Sequence, residues 1–278
     1  MIVVVSDVHL AEAPPGEDPK VRRDDQKFVE FLDYIAENQL SSGGDLVLLG
    51  DIIDFWRRDF AKALMESDEV VSRLMSLSGV NIHYVVGNHD YYMLRLNKVL
   101  STKFPFNTLD KTVQLSDGGK NFVFIHGYQL EVLSNPYYKS LTAYERFAEG
   151  LCLAGDDAGD AADKLWETIE LSKSFLDGLR RLPTNVSGAL RSMMHGPNER
   201  LEGAHKTGST IEELSRSRAR SIYLGMGKDD VLVFGHTHRP FYASKDGVVN
   251  TGSWKKNPCK DYSYVEIEDG QVVPKTFP

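Results

Sequence analysis

The sequence predicts an α/β fold, and three observations predict it. Short apolar runs alternate with amphipathic helical ones through the N-terminal third; strand and turn signals dominate two later stretches; and the long stretch between them, from His126 to His236, reads mostly as helix. The first run, IVVVSD, is a continuous apolar segment of the kind buried on both faces. DDQKFVEFLDYIAENQL follows as a helix. Phe28, Phe31, Leu32 and Ile35 share one face of it, and Asp24 or Asp25 is placed to cap its start. DLVLLGD is the second strand, EVVSRLMSLS the next helix and IHYVVGNHD the third strand, so βαβ units are expected. In VQLSDGGKNFVFIHG the Asp117-Gly118-Gly119 turn joins two β-rich runs as a hairpin. VLVFGHTHRP, VVNTGSW and YSYVEIEDGQVV make a β-rich end.

The intervening segments YYKSLTAYERFAEGLCLA, ADKLWETIELSKSFLDGLRRL and TIEELSRSRARSIYLG mix long charged side chains with apolar ones at helical period. Compact domains seldom need connections this long. The expectation is one domain, 1–278, with an inserted helical cap at 133–224 lying beside the site. A surface excursion or dimerisation arm is the plainer reading of the same stretch, because long surface insertions cost little stability.

Composition narrows the function. The 278 residues are 41% hydrophobic and 26% charged, as in an ordinary globular protein. The net charge of −8 argues against broad nucleic-acid binding, which depends on Lys and Arg. Only Cys152 and Cys259 occur, in no metal-binding spacing, so they read as bystanders in a reducing compartment. The opening apolar run lacks a basic leader and is too short for a signal peptide, and no run approaches the roughly 20 apolar residues of a spanning helix. A cytoplasmic protein is expected, with any membrane contact peripheral, at the inner face.

Five segments place metal-ligand residues directly after strand-like runs: Asp7 and His9; Asp51; Asn88 with His89 and Asp90; His126; and His236 with His238. Asp7 and His9 are two residues apart, so both should project from one side of an extended strand end and grip one ion. Gly50 lets the chain turn and leaves the Asp51 carboxylate, with its two oxygens, as the natural bridge between two ions. Asp54 reads as a supporting residue or a helix cap. Asn88 offers a neutral carbonyl oxygen. His89 is then free to act on substrate as general acid, with Asp90 beside it to orient the ring and raise its basicity. His126 repeats the strand-then-ligand pattern, and His236 and His238 share the two-residue spacing of Asp7 and His9. Oxygen and nitrogen donors without thiolate suit two divalent ions, Mn²⁺ first, with Fe or Zn²⁺ as alternatives. His83, His195 and His205 read as structural, surface or loop residues.

In order, these blocks resemble the calcineurin-like metallophosphoesterase superfamily, whose signature runs D-x-H, G-D-x-x-D, G-N-H-D, a lone H, then G-H-x-H; the match covers roughly residues 1 to 130 and 228 to 255. The resemblance implies a sandwich of two mixed β-sheets flanked by helices, with a dinuclear site at the strand ends. One ion would take Asp7, His9, Asp51 and His238, the other Asp51, Asn88, His126 and His236. The implied reaction is phosphoester or diphosphate hydrolysis by a metal-bridging hydroxide, with His89 protonating the leaving oxygen. GDIIDFW, GHTHRP and VVNTGSW are further similar to the UDP-2,3-diacylglucosamine hydrolases, which also carry a helical insertion. That likeness implies a UDP-linked acyl sugar or related lipid diphosphate as substrate. Many of those members have Arg at the place of His89 and Gly-Asp at the place of Gly127-Tyr128. A protein serine/threonine phosphatase or small phosphodiesterase is the alternative, and a nuclease or a non-catalytic scaffold is weaker still. Arg57, Arg58, Arg239 and Trp56 are candidate substrate contacts, although Phe55, Trp56 and Trp254 also read as ordinary core aromatics.

Overall fold

Strands buried on both faces are the organising feature of the fold. The computed structural model describes residues 1–12, 23–56, 60–100, 104–134, 140–154, 207–255 and 262–278. Strand β1 (Ile2–Val5) is followed by helix α1 (Arg23–Glu37), β2 (Gly44–Leu49), α2 (Phe60–Glu66), α3 (Asp68–Ser76), β3 (Val80–Val85), α4 (Met93–Leu100) and β4 (Thr108–Asp110). The hairpin β5 (Thr112–Asp117) and β6 (Lys120–Ile125) comes next, then α5 (Tyr128–Ser134), α6 (Leu141–Ala154), α7 (Thr207–Arg216) and α8 (Ala219–Leu224). The described chain closes with β7 (Val231–Phe234), β8 (Phe241–Ala243), β9 (Val248–Asn250), β10 (Ser263–Glu268) and β11 (Gln271–Thr276).

These strands form two mixed sheets, one in the order β11-β10-β1-β2-β3-β4 and the other β5-β6-β7-β9-β8. Strands β1 to β4 run parallel, as βαβ connections require, and β10 adds antiparallel to β1. Alternate residues of β1 serve two cores. Ile2 and Val4 join Val47, Leu49, Phe122, Phe124 and Val233 between the sheets, while Val3 and Val5 face Phe28, Phe31, Leu32 and Ile35 of α1. A third core lies on the outer face of the second sheet, where Ile125, Leu232 and Phe234 meet Leu130 of α5 and Ile211 of α7. The result is a helix, sheet, sheet, helix sandwich. Each fully buried side chain of this size contributes about 1.5–3 kcal/mol.

One local expectation changes, and the expected hairpin is present in a tighter form. The first helix begins at Arg23, so Asp24 and Asp25 fall inside its first turn rather than capping it. The hairpin turns on Gly118 and Gly119 alone, both with positive φ (53° and 76°), which is the two-residue turn whose twist matches the strands. A side chain at Gly118 would also collide with the backbone of Asp269 and Gly270. Of the stretch expected to form a cap, the described ends pack on the body: Tyr144, Phe147, Leu151 and Cys152 of α6 enter the first core, and Ile211 of α7 the third. The remainder, 135–139 and 155–206, with His195 and His205, lies outside the described residues, as do Arg57, Arg58 and Cys259.

Candidate dinuclear metal centre

The carboxyl ends of β1, β2, β3, β6 and β7 converge, and hydrogen bonds stitch their loops across the sandwich. Asp7 N–H donates to Gly50 O at 3.0 Å, His9 N–H to Asp51 O at 2.9 Å, Gly235 N–H to His126 O at 2.8 Å, and His236 N–H to Asp7 Oδ2 at 3.0 Å. Ligands were expected to project from extended strand ends, and here the structure corrects the geometry. Asp7, His9, Asp51, His236 and His238 all have φ between 52° and 67°. Left-handed backbone at non-glycine residues costs about 1–3 kcal/mol each and persists where the surroundings over-determine it. The turn after each strand, rather than the strand's pleat, aims these side chains. Gly87 and Gly235 permit it by lacking a Cβ, which would fall on Asp51 at the one and on Ser6 and Asp7 at the other.

The side chains gather around the two carboxylates. His238 Nε2 lies 3.1 Å from Asp7 Oδ1, and His126 Nε2 lies 3.1 Å from Asp51 Oδ2 and 3.9 Å from Asp7 Oδ1. His9 Nε2 is 3.9 Å from Asp51 Oδ2, and His236 Nδ1 is 3.3 Å from His126 Nε2. Asp7, His9 and His238 form one group whose ligand atoms all lie within 4.8 Å of one another, and Asp51, His126 and His236 form another. Those groupings fit the two expected ion sites. Asn88 directly precedes His89, whose N–H donates to Asp51 Oδ1 at 2.8 Å.

Three of the histidines present one nitrogen to the site while the other is held from behind. His126 Nδ1–H donates to Leu49 O at 3.0 Å, His9 Nδ1 lies 3.3 Å from Asp54 Oδ2, and His236 Nε2 lies 2.7 Å from Glu131 Oε2. This is how protein metal sites fix imidazole tautomers. His9 Nε2 and Asn88 Oδ1 are buried with no hydrogen-bond partner, an arrangement that costs about 1–3 kcal/mol per atom unless a ligand completes it. Donor chemistry, grouping and orphaned atoms all fit a pair of divalent cations.

The electrostatics point the same way. Burial pushes the Asp7 carboxyl up, but His126 and His238 outweigh it and hold the group at about 2. Burial likewise opposes ionisation of Asp51, yet His126 and His89 hold it well below the usual carboxylate range. Burial disfavours charge on His126, but Asp51 and Asp7 raise it to about 10. An imidazolium thus compensates the carboxylates, and a bound cation would take its place. His9, pushed down to about 4 by burial and by Lys255, is a neutral imidazole ready to coordinate.

His89 is supported by a different residue from the one expected. Its Nδ1 lies 3.2 Å from Asp54 Oδ1, its ring stacks on Trp56 at a centroid distance of 3.9 Å, and its side chain remains 15% exposed. Burial opposes its protonation, but Asp54 and Asp51 prevail and raise its pKa. Asp90, expected to orient that ring, instead braces the loop: it accepts Ile52 N–H at 2.8 Å, Gly87 N–H at 2.6 Å and Tyr84 O–H at 2.6 Å. Both oxygens of Asp90 are engaged there, on the backbone side. Asp54 is fully buried and serves His9 and His89 at once.

Trp56 was a candidate substrate contact, but it is 2% exposed behind His89, stacking on that ring and donating its backbone N–H to Asp54 Oδ1 at 2.9 Å. Phe55 and Trp254 are core residues; Trp254 packs edge-on against Phe28 and Phe31 and donates Nε1–H to Ser263 O at 3.1 Å. Arg239 is exposed one residue past His238. His83 is structural, with Nε2 2.9 Å from Asp45 Oδ1. Glu131 was not foreseen. Its one signal in the sequence is an acid flanked by Leu130, Val132 and Leu133 in an apolar helix.

Residues 1–240 match the calcineurin-like phosphoesterase family. A UDP-2,3-diacylglucosamine hydrolase of Shewanella piezotolerans (strain WP3 / JCM 13877) is 26% identical over 241 residues, covering 85% of this chain and 81% of its own. Among solved structures, a dimetal phosphatase from Danio rerio is 14% identical with a TM-score of 0.47, covering 100% of this chain and 98% of its own. A cold-active protein-tyrosine phosphatase of a psychrophilic Shewanella species is 15% identical with a TM-score of 0.38, covering 99% and 77%.

Proposed function

The chain belongs to the calcineurin-like phosphoesterase family and is a metal-dependent phosphoester hydrolase; from that premise we propose how its residues divide the work and what they cleave. Asp7, His9, Asp51 and His238 would hold one ion, and Asp51, Asn88, His126 and His236 the other. Two divalent ions bound there would supply a water of lowered pKa and positive charge for the phosphate oxygens. Mn²⁺ suits this oxygen and nitrogen set, with Fe and Zn²⁺ as alternatives. The observation that carries the reading is the pair of buried carboxylates, Asp7 and Asp51, each within 3.1 Å of an imidazole nitrogen, with further histidine donors grouped beside each.

His89 acts as the general acid. Asp54 lies 3.2 Å from its Nδ1 and raises its pKa, which favours the protonated ring whose Nε2 can deliver a proton to the leaving oxygen. Trp56, stacked on the ring, limits its tilt. No serine or cysteine nucleophile is needed. Cys152 is fully buried, and burial pushes its thiol well above the ordinary range.

For substrate, the relative aligned over 85% of this chain favours a UDP-linked acyl sugar or related lipid diphosphate. Exposed Arg239 beside His238 is placed to meet a second phosphate. No helix among the described residues is long and apolar enough to cross a membrane; we place the protein in the cytoplasm, meeting a lipid substrate peripherally at the inner membrane face. One observation favours the second reading, a protein serine/threonine phosphatase or small phosphodiesterase. The His89–Asp54 pair is a built proton donor, which alkyl esters need more than diphosphates do, because a departing alkoxide is far more basic than a departing phosphate. Turnover of a UDP-linked acyl sugar, a phosphoserine peptide and a cyclic nucleotide by Mn²⁺-loaded protein separates them. Cleavage of the sugar nucleotide alone supports the first reading, and preference for the peptide or the cyclic nucleotide overturns it.

A further inference from the structure

Glu131 stands at the first turn of α5, five residues after His126, and only 4% of its surface is exposed. A buried carboxylate at this depth needs partners, and His236 and Tyr144 are among them. Oε2 lies 2.7 Å from His236 Nε2, and the same oxygen accepts the hydroxyl of Tyr144 on α6 at 3.4 Å. On the other side of the imidazole, His236 Nδ1 lies 3.3 Å from His126 Nε2, in the group containing Asp51. His126 and Glu131 therefore grip His236 from opposite edges of its ring. Gly127, with φ of 130°, turns the chain between them, and its N–H and carbonyl start the helix that carries Glu131.

We propose that Glu131 is the positioning residue for His236. By accepting the Nε2 proton it fixes the tautomer in which Nδ1 carries the free lone pair, on the edge of the ring that faces His126, where the group with Asp51 and His126 would hold an ion. This deepens the reading of the site given above and rests on it. The arrangement is the carboxylate–histidine–metal relay that orients and strengthens ligands in metalloproteins generally. Glu131 backs His236 in the Asp51, His126 and His236 group, as Asp54 backs His9 in the other, so its influence should fall mainly on one of the two ions. Through Tyr144 the support reaches α6, and α6 also donates Cys152 Sγ–H to His89 O at 3.3 Å. One helix thus braces both the acid loop and the histidine's anchor.

The test titrates metal-free wild type, E131Q and E131A with Mn²⁺ by calorimetry, and follows the spin-coupled signal of the dinuclear pair by electron paramagnetic resonance. Wild type should bind two ions. In the variants one site should keep its affinity while the other weakens, about tenfold in E131Q and up to about 100-fold in E131A, the range set by loss of such outer partners. The coupled signal should then need correspondingly more Mn²⁺. Y144F, which removes one hydroxyl and leaves Glu131 in place, should shift the same site slightly. Both affinities unchanged in E131A would overturn the proposal, and so would equal weakening of both sites with a lower melting temperature of the metal-free variant, which is general loosening. Fewer than two ions in wild type would instead overturn the dinuclear reading itself, and this proposal with it.

Discussion

Replacing Asp54 by asparagine keeps the side chain's shape and removes its charge, which isolates what that charge does for His89. Asp54 is fully buried, with Oδ1 3.2 Å from His89 Nδ1 and Oδ2 3.3 Å from His9 Nδ1. At that separation a carboxylate and an imidazolium attract by about 5 kcal/mol at an effective dielectric constant near 20. Burial of His89 takes part of this back, and the balance is the raised pKa. Without that charge only Asp51 still works against burial, so the pKa falls and a smaller share of the acid is protonated at neutral pH. General acid catalysis is worth about 10²–10⁴-fold, so kcat toward an alkyl phosphoester should drop by about 10²–10³-fold at saturating Mn²⁺. An aryl ester with an acidic phenol needs little protonation and should lose less than about tenfold. The pH profile gives the sign: activity depends on protonated His89, so the alkaline limb of kcat should move to lower pH in the variant. The assay is kcat against pH for both esters with metal content measured in parallel. Equal losses for the two leaving groups, or an unmoved alkaline limb, would refute the acid role of His89 and its support by Asp54.

Other outcomes follow from the same geometry. Chelation should abolish turnover and lower the melting temperature: ions at 100 times their dissociation constant add about 2.7 kcal/mol, or about 5–10 °C for a domain of this size, measured by scanning calorimetry with and without chelator. Because Asp51 and Asp7 keep His126 protonated up to about 10 in the metal-free protein, binding near neutrality should release protons, and Mn²⁺ affinity should fall as pH is lowered. Calorimetry in buffers of different ionisation enthalpy reads that release directly. Gly87→Ala should impair metal binding while leaving the circular dichroism spectrum intact, since the added Cβ strikes Asp51 rather than a core residue. Trp56→Ala should cost about 3–5 kcal/mol in denaturant unfolding as a buried aromatic is lost, and should also loosen His89, lowering kcat more than KM.

The motifs were legible because metal chemistry restricts residue types. Carboxylates, imidazoles and an amide directly after apolar strands leave few other roles, and the structure groups six of the seven expected ligands by direct distances. The strand-forming runs were legible for a similar reason. A strand with both faces buried must be apolar throughout, as Ile2 to Val5 is. What periodicity could not convey was the backbone after the strand. Two-residue spacing suggested an extended projection of Asp7 with His9, yet their left-handed φ values place them by a turn. Pairings set by tertiary contact were hidden for the same reason. Asp90 is adjacent to His89 in sequence but folds back on Tyr84 and Ile52, and Asp54 arrives from another strand's loop. Glu131 acquires its meaning only when β7 brings His236 against α5.

A pair of ions sharing Asp51 is tested most directly by counting bound metal. Elemental analysis and calorimetric titration of wild type should give two divalent ions per chain, and Asp51→Asn should weaken both sites with the fold intact. One ion or none in wild type, or two ions bound with unchanged affinity in Asp51→Asn, would contradict it.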